Sequence, residues 1–145
     1  MRKLSTLAMV ILLTGCTQSY AMKDNNPDLL CSSKPNCVST QELRSDYQVA
    51  PFELISEATT IDEIEQVALT LKRTKTVNKT DVRLHLESTS LIFRFVDDLH
   101  IVKQGSLLQV RSKSRVGYSD FGVNKSRVEA LREKLVTANL LKPSL

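Results

Sequence analysis

Three stretches between residues 82 and 116 alternate apolar and polar side chains, and this alternation constrains the fold more than any other feature of the sequence. The stretches cover 82–87, 92–103 and 108–116, and a short break at 104–106 separates the last two. Because successive side chains of a strand point to opposite faces of a sheet, a period of two predicts strands with one buried face. A glycine in the break is typical of a hairpin, so the sheet is predicted to be antiparallel.

Two other segments have apolar residues at the three-to-four-residue spacing of amphipathic helices. The first, at about 60–73, opens with the Thr-x-x-Glu pattern of a capping box. The second, at about 125–138, is predicted to be capped by Asn124 or by Ser126. We therefore predict an α+β fold in which an antiparallel sheet of three to five strands packs against two main helices.

A secretory signal is predicted at the start of the chain. Two basic residues precede an apolar run at 7–13, which is too short to span a bilayer. The run leads into Leu13-Thr14-Gly15-Cys16, the pattern of a bacterial lipobox, in which the thiol of Cys16 accepts a lipid. The alternative is an ordinary signal peptide cut after Ala21, but polar residues separate that point from the apolar run.

Lipid attachment would divide the chain into three parts. We predict a signal peptide at 1–15, the lipidated cysteine with a flexible tether at 16–28, and a single α+β domain at 29–145. Lipid chains on one cysteine hold a protein at a membrane without a spanning helix. By resemblance to lipoprotein sorting in Gram-negative cells, Thr17 in place of an aspartate favours the outer membrane. The predicted location is therefore the cell envelope, facing the periplasm.

Cys31 and Cys37 remain as an even pair if Cys16 carries the lipid. The turn-rich residues between them favour contact of the two thiols, and an envelope compartment is oxidising. We predict a disulfide, which stabilises the fold by about 2 kcal/mol because it closes only a short loop. Metal binding by two cysteines without nearby histidines is disfavoured.

The charge of the chain gives little support to a nucleic-acid partner. Loss of the two basic residues of the signal lowers the formal net charge from +4 to +2, and an envelope location argues against such a partner as well. We predict no cofactor. His85 and His100 would form only a weakly supported metal site with Asp98, so no metal is predicted either.

Three further runs stand out. They are SKPNCVS at 33–39, FVDD at 95–98 and VRSKSRVGYSDFGVN at 110–124. Together they resemble the bacterial and plastid family known as domain of unknown function 1499, over about residues 29–138. The family has no established activity, so the resemblance implies no catalytic or binding residue. Leu99-His100 stands where relatives commonly show Val-Glu, and no role of an acidic residue is carried over to position 100.

Polar residues occupy buried positions of two predicted neighbouring strands. Asp97 shares the phase of the apolar residues in its strand, and Ser112 and Ser114 do so in the next. An ionised buried carboxylate is costly without partners. One interpretation is a β-bulge at 97–98 that re-aims both carboxylates. The other is a polar pocket in which these side chains meet the loop at 118–124. The candidate binding residues of that loop are Asp120 and Asn124.

Arg94, Arg111 and Arg115 are predicted to occupy outward positions on neighbouring strands. Adjacent guanidinium groups hold a phosphate or carboxylate through paired hydrogen bonds. In the alternative interpretation, which we favour, Asp98 neutralises them as ordinary surface ion pairs, each worth less than about 1 kcal/mol.

The favoured functional hypothesis is a non-enzymatic envelope module that binds an anionic small molecule, a lipid head group or a protein partner. One alternative is a hydrolase of envelope material that uses Asp97 or Asp98 as acid or base. Another is a purely structural lipoprotein. No catalytic constellation is recognisable in the sequence.

Overall fold

An antiparallel sheet with two helices on one face makes up residues 29–143, the part of the chain that the computed structural model describes. The predicted α+β fold is confirmed, and the sheet has six strands because two short ones add to four longer ones. The strands are β1 (Cys37–Ser39), β2 (Phe52–Glu53), β3 (Thr74–Lys79), β4 (Arg83–Thr89), β5 (Val96–Gln104) and β6 (Leu107–Ser114). The helices are α1 (Ile61–Ala68) and α2 (Val123–Thr137).

The central hairpin is the one predicted at 104–106. The strands lie in the order β1-β6-β5-β4-β3, and β2 pairs with another part of β6. Gln104 of β5 pairs with Leu107 of β6 across the turn. Gly105 begins that turn with a φ of 59°, a left-handed conformation that glycine adopts without steric cost.

The core lies between the sheet and the helices. Alternate side chains of β4, β5 and β6 pack against the apolar faces of α1 and α2, and each such side chain stabilises the fold by about 1.5–3 kcal/mol. These core residues are Leu84, Leu86, Leu99, Ile101, Leu108, Val110, Ile61, Ile64, Val128, Leu131 and Leu135. The other side of the sheet is called the outer face. Its residues on β4, β5 and β6 are Arg83, His85, Glu87, Asp98, His100, Val102, Gln109, Arg111 and Lys113.

The first helix is shorter than predicted, because the chain turns into a strand. α1 ends at Ala68 instead of at 73, and Arg73 has a left-handed backbone with a φ of 53°. The next residues form β3, an edge strand that the sequence did not predict. Its inward positions hold Thr74 and Thr76 instead of apolar side chains, so the usual alternation is missing.

The second predicted strand begins later than position 92. β5 starts at Val96, because Arg94 has a φ of 55° and interrupts the extended backbone. Phe93 and Phe95 share the phase of Leu99 and Ile101, so a regular strand over 92–103 would bury them, but they are 72% and 51% exposed. Arg94 therefore lies in a loop, and its predicted outward strand position is wrong.

The cap of α2 differs from both predicted candidates. Gly122 is the N-cap, with a φ of 82° and no side-chain hydrogen bond. The carboxylate of Asp120 accepts hydrogen bonds from the backbone N–H of Gly122 at 3.2 Å and of Asn124 at 2.8 Å. A negative charge is favoured there by the partial positive charge of a helix start.

The predicted signal peptide at 1–15, the lipid site Cys16 and the tether at 16–28 lie outside the described residues. Cys31 and Cys37 are joined by a disulfide, with their Cα atoms 5.7 Å apart. Among the helices of the described residues, none has both the length and the apolar character needed to cross a membrane.

The predicted capping box at the start of α1 is confirmed and gives a first testable prediction. Thr60 N–H donates to Glu63 Oε2 at 2.7 Å, and Glu63 N–H donates to Thr60 Oγ1 at 3.2 Å. We expect Thr60→Ala to lower the free energy of unfolding by about 1 kcal/mol in urea titrations. Thr60→Ser keeps the hydroxyl and is the control. Equal losses in both variants would contradict a role of the cap.

Candidate functional site

β5 turns two consecutive aspartates to opposite sides of the sheet. Its pairing runs through both without a register shift, with Asp97 opposite Ser114 and Asp98 opposite Lys113. The β-bulge predicted at these positions is therefore wrong. Asp97 faces the helices and is 6% exposed, whereas Asp98 lies on the outer face. The two carboxylates belong to separate polar clusters, which we call the inner and the outer cluster.

The inner cluster is built around Arg127 of α2. Its Nη2 donates to Asp97 Oδ2 at 2.6 Å, and its Nη1 donates to Ser112 Oγ at 3.0 Å and to Asn124 Oδ1 at 2.7 Å. The side chains of the ion pair are only 9% and 13% exposed. Removing two charges from water is costly, and the additional hydrogen bonds offset part of that cost.

Asn124 completes the inner cluster and is fully buried. Its Nδ2 donates to Ser114 Oγ at 2.9 Å, to Asp120 Oδ2 at 2.8 Å and to the backbone oxygen of Asn36 at 3.1 Å. Its Oδ1 accepts from Ser112 Oγ at 2.6 Å. The strand residues and the loop residues do meet, as one interpretation of the sequence proposed. Their polar atoms satisfy one another, however, which makes the cluster a structural network.

Arg127 is not among the candidate binding residues predicted from the sequence. Two features of the sequence could have identified it. Arg127 lies about one helical turn after Asn124, and the predicted strands that α2 covers carry a buried carboxylate and two buried hydroxyls. A buried carboxylate requires a cation or several donors. Arg127 meets that requirement here.

The inner cluster also fixes the base of the loop between β6 and α2. Asn36 Nδ2 donates to the backbone oxygen of Gly117 at 2.9 Å. The carboxylate of Asp120 accepts hydrogen bonds from the backbone N–H and from the side-chain Nδ2 of Asn124. The ends of this loop are thus held by partly buried contacts while its tip is exposed.

The outer cluster centres on Asp98. Arg115 Nε donates to Asp98 Oδ2 at 2.9 Å and its Nη2 to Oδ1 at 2.7 Å, while His85 Nε2 lies 2.7 Å from Oδ1. Arg115 also pairs with Glu87. Burial alone would raise the pKa of Asp98, but the hydrogen bonds from Arg115 and His85 outweigh it and lower that pKa to about 2. Hydrogen bonds to Asp98 and Glu87 raise the pKa of Arg115.

His85 and His100 lie directly opposite each other on β4 and β5. Their rings are stacked, with centroids 4.2 Å apart and planes 9° from parallel. Arg111 lies opposite His100 on the next strand. Of the three arginines predicted on the outward face, Arg111 lies within β6 and Arg115 directly follows it, whereas Arg94 is in the loop before β5.

A third feature is a concentration of exposed apolar side chains at one end of the sheet. We call this the loop end; it comprises residues 90–95 before β5 and residues 116–123 after β6. The two loops start side by side, because Arg115 N–H donates to the backbone oxygen of Val96 at 3.1 Å. Eight of the fourteen exposed large hydrophobic side chains in the described residues lie here. They are Leu91, Ile92, Phe93, Phe95, Val116, Tyr118, Phe121 and Val123.

The geometry does not support a hydrolase that divides acid and base roles between the two aspartates. Such a pair must act at one reaction centre, with pKa values set for the two roles. Here the carboxylates lie on opposite faces of the sheet. Arg127 binds Asp97 on one face, and Arg115 binds Asp98 on the other.

The chain was compared with models of known protein families. The model of a family described as "Protein of unknown function (DUF1499)" matches residues 29–135, which confirms the resemblance seen in the sequence. Searches of curated proteins and of solved structures give no match.

The inner cluster predicts a large coupling between Asp97 and Arg127. We expect Asp97→Ala or Arg127→Ala alone to lower the free energy of unfolding by about 3 kcal/mol, since each leaves a buried charge without its partner. The double variant should cost clearly less than the sum of the two, as measured by urea denaturation.

The control for this cycle is the surface ion pair between Lys142 and Glu53, whose side chains are about half exposed. Glu53→Ala should cost less than about 1 kcal/mol. If the single variants of the inner pair cost no more than this control, the ion pair does not hold α2 to the sheet.

Proposed function

The chain belongs to this family of proteins of unknown function, and we propose that it is a membrane-anchored lipoprotein of the cell envelope whose domain binds anionic lipid head groups. The loop end makes this contact, and the observation that carries the proposal is its cluster of exposed apolar side chains. The most fitting location is the periplasmic face of the outer membrane.

The anchor is supported by the sequence pattern around Cys16. A lipobox follows directly on a short apolar run, and 13 residues from 16 to 28 separate the lipid site from the domain. Fully extended, a tether of that length reaches at most about 45 Å. The domain would therefore stay close enough to the bilayer to touch it repeatedly.

The chemistry of the loop end suits a membrane surface. All of the exposed phenylalanine and tyrosine side chains in the described residues lie in its two loops. Aromatic side chains are favoured at the boundary between water and lipid. A concentration of exposed apolar side chains in one part of a domain marks a contact with a membrane or a partner.

Several basic residues lie within or beside the loop end. Arg94 lies within the loop end, and Lys125 lies in the first turn of α2. Arg73 donates from Nε to the backbone oxygen of Thr89, directly before the loop end, and Lys72 precedes it in the chain. Near an anionic membrane surface each such cation contributes about 1 kcal/mol of attraction.

These charges favour a lipid surface over the other candidate ligands. A small anion held by the arginines of the outer face is less well supported, because Arg115 already pairs with Asp98 and Glu87. A protein partner would use the same apolar side chains. It would not by itself account for the basic residues beside them in a chain with a predicted lipid anchor.

The first test concerns the anchor. Mass spectrometry of the protein extracted from membranes should show a chain that begins at Cys16 and carries lipid. A chain that begins at Met22 without lipid would instead identify an ordinary signal peptide cut after Ala21.

The second test concerns the loop end and uses the absence of tryptophan from the chain. Phe121→Trp places a single tryptophan at the tip of the loop, where Phe121 is 95% exposed. On vesicles that contain phosphatidylglycerol and brominated lipid, we expect a blue shift and strong quenching, because the ring enters the interface. Both effects should weaken at high salt, since salt screens the attraction to anionic lipid.

The matched control is Leu43→Trp, because Leu43 is 93% exposed but lies outside the loop end. Its emission should not respond to the vesicles. Equal quenching of the two tryptophans, or quenching of neither, would contradict docking through the loop end.

A further inference from the structure

Three side chains of metal-ligating type meet on the outer face of the sheet. His85 and His100 are the only histidines in the chain, and Asp98 shares their face because it lies two positions from His100 along β5. The nitrogen and oxygen ligand atoms of the three lie within 4.8 Å of one another. We infer that His85, His100 and Asp98 form a binding site for a divalent transition-metal ion such as Zn²⁺ or Cu²⁺.

The donor set fits such an ion. Two imidazole nitrogens and one carboxylate oxygen suit zinc and copper better than magnesium or calcium, which prefer oxygen ligands alone. Zinc–nitrogen bonds of about 2.0–2.1 Å require the two nitrogens to lie roughly 3.3 Å apart. The opposed rings are nearly parallel, with centroids 4.2 Å apart, so they must turn out of the stack before both nitrogens bind one ion. The broad outer torsion of histidine allows that rotation.

The neighbours of Asp98 allow it to act as a ligand. Oδ1 is the oxygen next to His85, and it also accepts a hydrogen bond from Arg115 Nη2. When a metal ion binds Oδ1, Arg115 keeps its hydrogen bond from Nε to Oδ2 and its ion pair with Glu87. Such bonds from outside the ligand set orient a coordinating carboxylate.

The site is open on one side. A cavity of about 250 Å³ adjoins both histidines, and Asn78 and Arg83 also line it. Three protein ligands leave at least one coordination position, which water or a small anion can fill from this cavity. That arrangement resembles open zinc sites and differs from closed structural ones, which have four protein ligands.

The sequence alone favoured no metal site, because it does not specify which strands pair. The pairing of β4 with β5 places the two histidines opposite each other. Competing thiols are few, since Cys31 and Cys37 form a disulfide and Cys16 is the predicted lipid site. The inference is independent of the proposed membrane contact, which uses other residues.

The test is a calorimetric titration with ZnCl₂. It uses the mature protein, as the cell processes it, without a histidine tag. One Zn²⁺ should bind per chain. His85→Gln and His100→Gln should each weaken binding by more than about tenfold. Even residues that only hydrogen-bond to a ligand typically change metal affinity by 10–100-fold. Asp98→Asn should weaken it by about tenfold, and Asp81→Asn, an exposed carboxylate outside the site, should leave it unchanged.

A spectroscopic measurement on the unchanged protein guards against variants that fail to fold. In nitrogen-15 NMR spectra, Zn²⁺ should shift the imidazole signals of both histidines together, and saturation should occur at one equivalent. The inference is overturned if the two imidazole signals do not move, or if zinc binding persists at full strength in both histidine variants.

Discussion

The buried ion pair between Asp97 and Arg127 is the contact on which the arrangement of the domain depends. It joins the start of the central strand β5 to α2, and Arg127 shares Ser112 with Asn124. Asn124 extends the connection to the loop after β6 and to the chain before β1. Helix, sheet and both segments are therefore fixed by polar groups that are buried or largely shielded from water. Hydrophobic burial is non-directional, so this network supplies the specificity of position that the apolar core lacks.

The parts of the fold that local pattern determines were predictable. The hairpin at 104–106 follows from two alternating runs around a glycine, and the capping box of α1 follows from two residues three positions apart. β3 and the start of β5 were not predictable in this way. An edge strand with threonine in its inward positions has no apolar alternation, and a positive φ at Arg94 has no clear sequence signal, because arginine rarely adopts it.

The polar sites show the same division. The phase of the alternation indicated that Asp97 points inward, but it left open whether the chain bulges or supplies a partner. Only the register between β5 and β6 decides this, and register is a long-range property. Arg127 lies thirty positions away in the chain, and His85 and His100 meet through strand pairing. The inward face of Asp97 could thus be inferred from the sequence, whereas its partner could not.

The proposed membrane contact at the loop end and the proposed metal site at the histidine pair are far enough apart to be occupied at the same time. β5 starts at the loop end, and His100 lies four positions after Val96, which corresponds to roughly 13 Å along a strand. Side chains that enter a membrane interface typically reach about 5–10 Å into it. A domain that stands on its loop end would therefore keep the histidine pair in water. The hydrogen bonds between Asn124 and Asp120 are consistent with this orientation, because they fix the end of the loop next to its exposed tip. A bound metal ion would then face the aqueous side of the envelope, beside the bilayer but outside it.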